Sequence, residues 1–282
     1  MSGLLEQCAE PKSHFTSVLM FSLFAATGSS RSLFALIVWQ AIFIHMLFFP
    51  TKYPEGEWNP RQLEFEDVWL NSGLSTKIHG WYCPCSNPRA HLLYLHGNAG
   101  NITDRTDLLF RFQQLGIAVL IIDYRGYGRS NGRSTIFSVT KDAIAAAKFL
   151  ADTADTSVEG LFFMGRSLGG ALAIQLAAKL QPKGLIVEST FTSLRKIAGY
   201  HYSALSWFVP ANILNSTATI QKYNGKILLS HGENDFTIPF DHGVEICDSA
   251  NSPKTFIAIP NVGHNGPLPE DYYDTLSQFI DT

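Results

Sequence analysis

The chain has 282 residues, 46% of them hydrophobic and 16% charged, with a formal net charge of −3. That length suits one α/β domain with an appendage, and the composition excludes intrinsic disorder. There is no basic field for nucleic acid, and the nine histidines and four cysteines form no HExxH or paired CxxC, so neither metal nor nucleic acid is expected.

The front of the chain stands apart. Between residues 13 and 49, Arg31 is the one Asp, Glu, Lys or Arg. Ser32 to Phe49 carries no formal charge and stops at Pro50. As a helix it would be about 27 Å long, near the thickness of a bilayer core. The alternative is a buried core helix, but helices that flank a sheet are amphipathic rather than apolar all round. Residues 1–50 are therefore expected to form a single-pass membrane anchor. The shorter run Phe15 to Ala26 reads as a signal-peptide core or an interfacial prelude. Lys12 and Arg31 before the span nearly balance Lys52 and Arg61 after it. The free amino terminus tips the N-terminus toward the cytoplasm and the remainder toward the other side. Pro54, Gly56 and Pro60 mark residues 51–62 as a linker to a domain over 63–282.

Within the domain, Leu63 to Leu70 and Thr76 to Cys83 read as an antiparallel hairpin around the turn Asn71-Ser-Gly73. His91 to Leu95 is a short apolar strand, followed by a helix over Asp104 to Leu115. Ile117 to Ile122 is a continuous aliphatic run, as for a strand covered on both faces. A helix over Val139 to Leu150 follows, then strands at Leu161–Met164, Gly184–Glu188, Lys226–Ser230 and Lys254–Ile259, and helices over Phe240–Ser249 and Glu270–Ile280. This alternation specifies an α/β fold with a mostly parallel, eight-stranded sheet and helices on both faces. The interval of about 190–224 is too long for a simple crossover and reads as a small helical cap. Tyr200, Tyr202, Trp207 and Phe208 would line a pocket there or only pack the cap onto the body. Cys83-Pro84-Cys85 is too lean a motif to assign, and the sequons at Asn101 and Asn215 read as chance.

The chemistry centres on Gly165-Arg166-Ser167-Leu168-Gly169. It lies between the strand at Leu161–Met164 and a helix striped by Leu168, Leu172, Leu176 and Leu180. A strand that turns at once into a helix crowds the turn, and glycines flanking the serine remove the colliding Cβ atoms. A G-x-S-x-G so placed is a nucleophile elbow. A serine hydroxyl needs a base, and the base needs an orienting acid. In chain order these follow as acid and then histidine, each just past a strand. Asp235 fits the acid, with Glu233 and Asp241 as rivals. His264 fits the base, with His231 and His242 as rivals. The oxyanion requires two N–H donors, assigned to the backbone of Leu168 and of Asn98 in the loop His96-Gly-Asn-Ala. His96 is read as tying that loop down.

His96-Gly-Asn-Ala-Gly-Asn101, Asp123-Tyr-Arg-Gly-Tyr-Gly-Arg-Ser130, Gly165-Arg-Ser-Leu-Gly-Gly170, the Asp235 loop and Gly263-His264 occur in one order. Over about residues 60–282 they resemble the membrane-anchored branch of the α/β-hydrolase domain-containing family. The resemblance implies an α/β-hydrolase fold and a serine hydrolase of esters or thioesters, with Ser167, Asp235 and His264 as triad and no cofactor. Relatives in this branch include protein depalmitoylases; a hydrophobic segment stands here in place of the cysteine-rich N-terminus that tethers some of them. Arg166 and Asp123 match the motifs as structural or loop-ordering residues. A peptidase or amidase with the same triad, and a catalytically silent binding protein, are the alternatives.

Overall fold

The computed structural model describes residues 47–282 apart from 74, 204, 205 and 252. The expected membrane span, up to residue 46, and the run Phe15 to Ala26 lie outside the described residues. Among the described residues no helix is long and apolar enough to cross a membrane.

Eight strands form one sheet: β1 (Glu66–Asn71), β2 (Lys77–Cys83), β3 (Ala90–Leu95), β4 (Ile117–Ile122), β5 (Phe162–Arg166), β6 (Gly184–Glu188), β7 (Lys226–Gly232) and β8 (Lys254–Ile259). Their order is β8-β7-β6-β5-β3-β4-β2-β1. The β1–β2 and β2–β4 pairs are antiparallel and the others parallel, so the sheet is mixed. β1 begins at Glu66 rather than Leu63, because the ladder starts where Glu66 meets Tyr82. Leu63 and Phe65 instead pack into the core beside Trp81.

Among the described residues seven helices flank this sheet: α1 (Thr106–Gln114), α2 (Ile136–Thr153), α3 (Leu168–Leu180), α4 (Leu194–His201), α5 (Ser216–Ile220), α6 (Phe240–Ser249) and α7 (Glu270–Asp281). The period of two along the central strands separates two cores. Leu92, Tyr94, Val119 and Ile121 face one way, under Phe112 of α1 and Leu276 of α7. Leu93, Leu95, Leu120 and Ile122 face the other, under Ala143 of α2 and Leu172 of α3. Each large aliphatic side chain so buried contributes roughly 1.5–3 kcal/mol. β4 is buried at every position, which is why its sequence does not alternate.

Side-chain caps set several helix starts. Thr135 and Ser138 form a reciprocal capping box on α2. Ser193 accepts the Lys196 N–H at α4, and Asn215 accepts the Ala218 N–H at α5. Asn101 is buried and caps the short 3-10 turn Ile102–Arg105. Both sequon asparagines thus have structural partners.

The segment read as a linker lies against the body. Phe49–Pro50 pairs in parallel with Ala99–Gly100, and Phe48 is buried beside Tyr127, their ring centroids 6.5 Å apart. The Tyr53 N–H donates to Gly128 O at 3.1 Å, and Trp58 stacks edge-on to Trp81 at 6.0 Å. The last residues of the apolar run, Leu47 to Phe49, are therefore part of the folded domain and not of a free helix. In the 190–224 interval, α4 and the turn Ser206–Phe208 pack together above the sheet, whereas α5 packs on α3 and α6 in the body.

Candidate active site

β5 runs straight into α3, and Ser167 stands at the junction with φ +57° and ψ −122°. That is a disfavoured conformation for a residue with a Cβ, held here by its surroundings. The Ser167 N–H donates to Glu188 O at 3.0 Å, and Thr190 Oγ1 donates to Ser167 O at 2.6 Å. A Cβ at Gly165 would fall on the Gly169 carbonyl, and one at Gly169 on the Leu95 carbonyl. Both glycines are needed for helix and strand to approach this closely.

Ser167 opens onto a cavity of about 460 Å³. His264, Leu168 and Asn98 line the same cavity. Asp235 lies behind His264, its Oδ2 2.7 Å from His264 Nδ1. Its Oδ1 accepts the N–H groups of Thr237 at 2.9 Å and Ile238 at 2.8 Å. Burial by itself would raise the Asp235 pKa, but hydrogen bonds from His231, His264 and the Ile238 N–H outweigh it and hold the carboxyl well below the usual carboxylate range. The rivals separate by position. Glu233 and Asp241 are exposed to solvent. His231 and His242 are buried away from the cavity lining. His242 Nδ1 accepts the Thr192 N–H at 3.1 Å, and burial pushes its pKa down to about 4, so the ring is neutral.

The loop after β3 is ordered from two sides. Asn98 O accepts the Phe49 N–H at 2.8 Å and the Tyr127 hydroxyl at 2.6 Å. His96 Nδ1 lies 2.8 Å from Gly97 O, and burial lowers the His96 pKa to about 3, so a neutral ring donates to that carbonyl. In a planar trans peptide the Asn98 N–H points opposite to Gly97 O, away from His96. The Leu168 N–H lies in the first turn of α3, where N–H groups lack an intrahelical acceptor. The arrangement can supply a serine, an imidazole with an ionised partner and two backbone donors around one apolar space.

Three sets of contacts at the site are not visible in the motifs. His231 Nε2 stands 3.4 Å from Asp235 Oδ2 and 2.8 Å from Ile238 O, placing a second imidazole on the acid. Leu47 and Phe49 line the cavity. Arg166, next to the serine, reaches the backbone carbonyl of His264. Behind it lies Glu188, whose carboxyl is pushed up by burial and pulled back by the Arg166 charge, with Tyr272 donating to it. Of the cap aromatics, Tyr202 lines the cavity; Tyr200 and Trp207 are exposed, and Phe208 is not among the lining residues. Phe191, Leu194 and Ile197 supply the apolar wall instead.

A family model described as "Serine aminopeptidase, S33" matches residues 86–213. Protein bem46 of Schizosaccharomyces pombe is 31% identical over 83% of this chain and 84% of its own length. The α/β hydrolase domain-containing protein WAV2 of Arabidopsis thaliana is 30% identical over 78% of this chain and 79% of its own. The chain belongs to the α/β-hydrolase family. Among solved structures, an esterase of Pyrococcus furiosus superposes with a TM-score of 0.69 at 19% identity, covering 83% of this chain and 97% of that one. At that identity the likeness shows the fold alone.

In this α/β-hydrolase, Arg166 ties the histidine loop to the elbow. Arg166→Met is expected to lower kcat about a hundredfold with KM little changed, and Arg166→Lys to recover part of the loss. Steady-state kinetics on one acyl ester check this. A raised KM with kcat unchanged would mean that the arginine binds substrate and does not position His264.

Proposed function

We propose that the protein is a serine hydrolase of acyl esters or thioesters. The observation that carries this is the meeting of a strained Ser167 with the His264–Asp235 pair at one apolar cavity. With Nδ1 engaged by Asp235, the remaining ring nitrogen of His264, Nε2, is the atom that takes the Ser167 hydroxyl proton. Ser167 Oγ attacks the acyl carbonyl, and the N–H groups of Leu168 and Asn98 hold the oxyanion. His264 returns the proton to the leaving alcohol or thiol, leaving an acyl-enzyme. Water, deprotonated by the same imidazole, then releases the acid. Asp235 keeps the imidazole oriented and stabilises its charged form without itself taking the proton.

An amidase or aminopeptidase is the second reading, favoured by the description of the matching family model. An aminopeptidase must hold a substrate ammonium, which calls for a carboxylate at the cavity wall. Among the described lining residues there is no Asp or Glu, whereas Arg105 and Arg166 are present. Those charges suit a substrate without a free amine. A panel of short-chain esters, long-chain esters, thioesters and aminoacyl amides, assayed with the full chain, separates the readings. Esters or thioesters are expected to be turned over at least about a hundredfold faster than aminoacyl amides, a difference of about 2.7 kcal/mol in transition-state binding. Faster amide cleavage would overturn the ester reading.

A further inference from the structure

Of the eight large aromatic residues exposed among the described residues, five lie at the cavity or its cap, and Tyr53, Trp69 and Phe137 lie on other elements. Tyr200 is 55% exposed, Tyr202 45%, Trp207 84%, Phe236 80% and Phe49 57%. Tyr202 and Phe49 line the cavity that holds Ser167. Tyr200, His201 and Tyr202 form a run of ring contacts at the end of α4, with centroids 5.0 and 6.2 Å apart. The turn bearing Trp207 packs on α4, where Ser206 approaches Gly199. His201 Nε2 is 2.8 Å from Thr237 O, which brings the neighbouring Phe236 to the same rim. A grouping of exposed rings of this kind marks an interaction site, whereas single exposed rings do not.

The chain itself indicates what the rim meets. Residues 32–46, with no Asp, Glu, Lys or Arg, join the domain at Leu47, and Leu47 lines the cavity. An apolar segment without formal charge therefore joins the domain at a residue of the cavity wall. Tyr and Trp are the side chains that favour the boundary between lipid and water. We infer that the aromatic rim of the cap sits on a lipid surface, so that the acyl substrate enters the cavity from the membrane and not from bulk water. This rests on the ester-hydrolase reading of the cavity for its substrate, but not for its surface.

The test uses the full chain in dioleoylphosphatidylcholine vesicles, with and without dibrominated phosphatidylcholine as a contact quencher. Trp39 lies in the apolar segment, so the background is Trp39→Phe. The expected result is that brominated lipid quenches its fluorescence and that Trp207→Phe removes the quenching. Unchanged quenching in W39F/W207F overturns the proposal; so does a rim covered by residues 1–46 or by a second copy, which shows as no quenching at Trp207. A kinetic arm compares vesicle-embedded p-nitrophenyl palmitate with soluble p-nitrophenyl butyrate. Y200S/W207S is expected to lose about tenfold or more on the embedded ester and to stay within about twofold on the soluble one. Equal losses on both overturn it. Quenching at Trp207 with neither ester hydrolysed by the wild type would sink the hydrolase reading while the lipid-facing surface stands.

Discussion

Ser167→Ala is expected to lower turnover of an acyl ester by about five to six orders of magnitude, with the thermal midpoint nearly unchanged. The size follows from how the members of a triad act as a unit: without the nucleophile, the imidazole and its acid have nothing to activate. What survives is the contribution of the oxyanion donors and of binding, roughly three to four orders of magnitude over water. Folding should be spared. The hydrogen bonds that fix the elbow at this position run through the Ser167 backbone N–H and carbonyl, which alanine keeps. Alanine also shares the positive φ penalty with serine, so the strain is not increased. Kinetics together with a melting curve check this. Activity retained within tenfold would mean that another residue carries the chemistry.

Asp235→Asn is the second large effect, at about four orders of magnitude in kcat. Asp235 Oδ1 accepts two backbone N–H groups, so an asparagine would keep its carbonyl oxygen there and turn its NH2 toward His264. His264 Nδ1 would then have to accept, which moves the ring proton to Nε2 and leaves no lone pair for the serine. His231 aggravates this, because its Nε2 faces the same oxygen position at 3.4 Å. Stability should fall as well. The Asp235 pKa is lowered in the fold, so its ionised form stabilises the folded chain above the ordinary aspartate pKa of 3.8, and that support is lost only as pH drops through the lower folded value. At neutral pH the wild type holds the full contribution and the variant none. Acidification just below neutrality leaves Asp235 ionised, so any early loss of wild-type activity has another origin. A variant with kcat near wild type would remove Asp235 from the mechanism.

Much of the site was legible because strand ends are legible. β7 and β8 are short apolar runs followed by polar loops, and Asp235 and His264 fall in those loops. The structure brings both to the serine's side of the sheet; the rivals Glu233 and Asp241 are exposed, His242 is off the cavity lining, and His231 sits behind the acid and not on the cavity wall. The central strands were equally plain, since Ile117 to Ile122 is apolar at every position. What could not be read depends on contacts between distant parts of the chain. Arg166 matched the motif as a loop-ordering residue, but the carbonyl it reaches, 98 residues away, cannot be read from a Gly-Arg-Ser sequence. His231 acts through a loop conformation that places it against the acid. The apolar run before Pro50 suggested one continuous span, but its last two residues, Phe48 and Phe49, find partners at Tyr127, Asn98 and Ala99. Periodicity along one segment carries no trace of such pairing. In the cap, the aromatic residues stood out by size, yet the aliphatic face of α4 supplies the wall and most of the aromatics stay outside.

The central claim is that Ser167 is a nucleophile activated in place, and a fluorophosphonate probe tests it most directly. The expected result is one covalent adduct on the folded full chain, recovered after trypsin on the peptide of residues 167–179, which cleavage after Arg166 and Lys179 releases. The adduct should be absent from Ser167→Ala and strongly slowed in Asp235→Asn. A folded wild type that takes no label, or takes it at a different residue, would contradict the account.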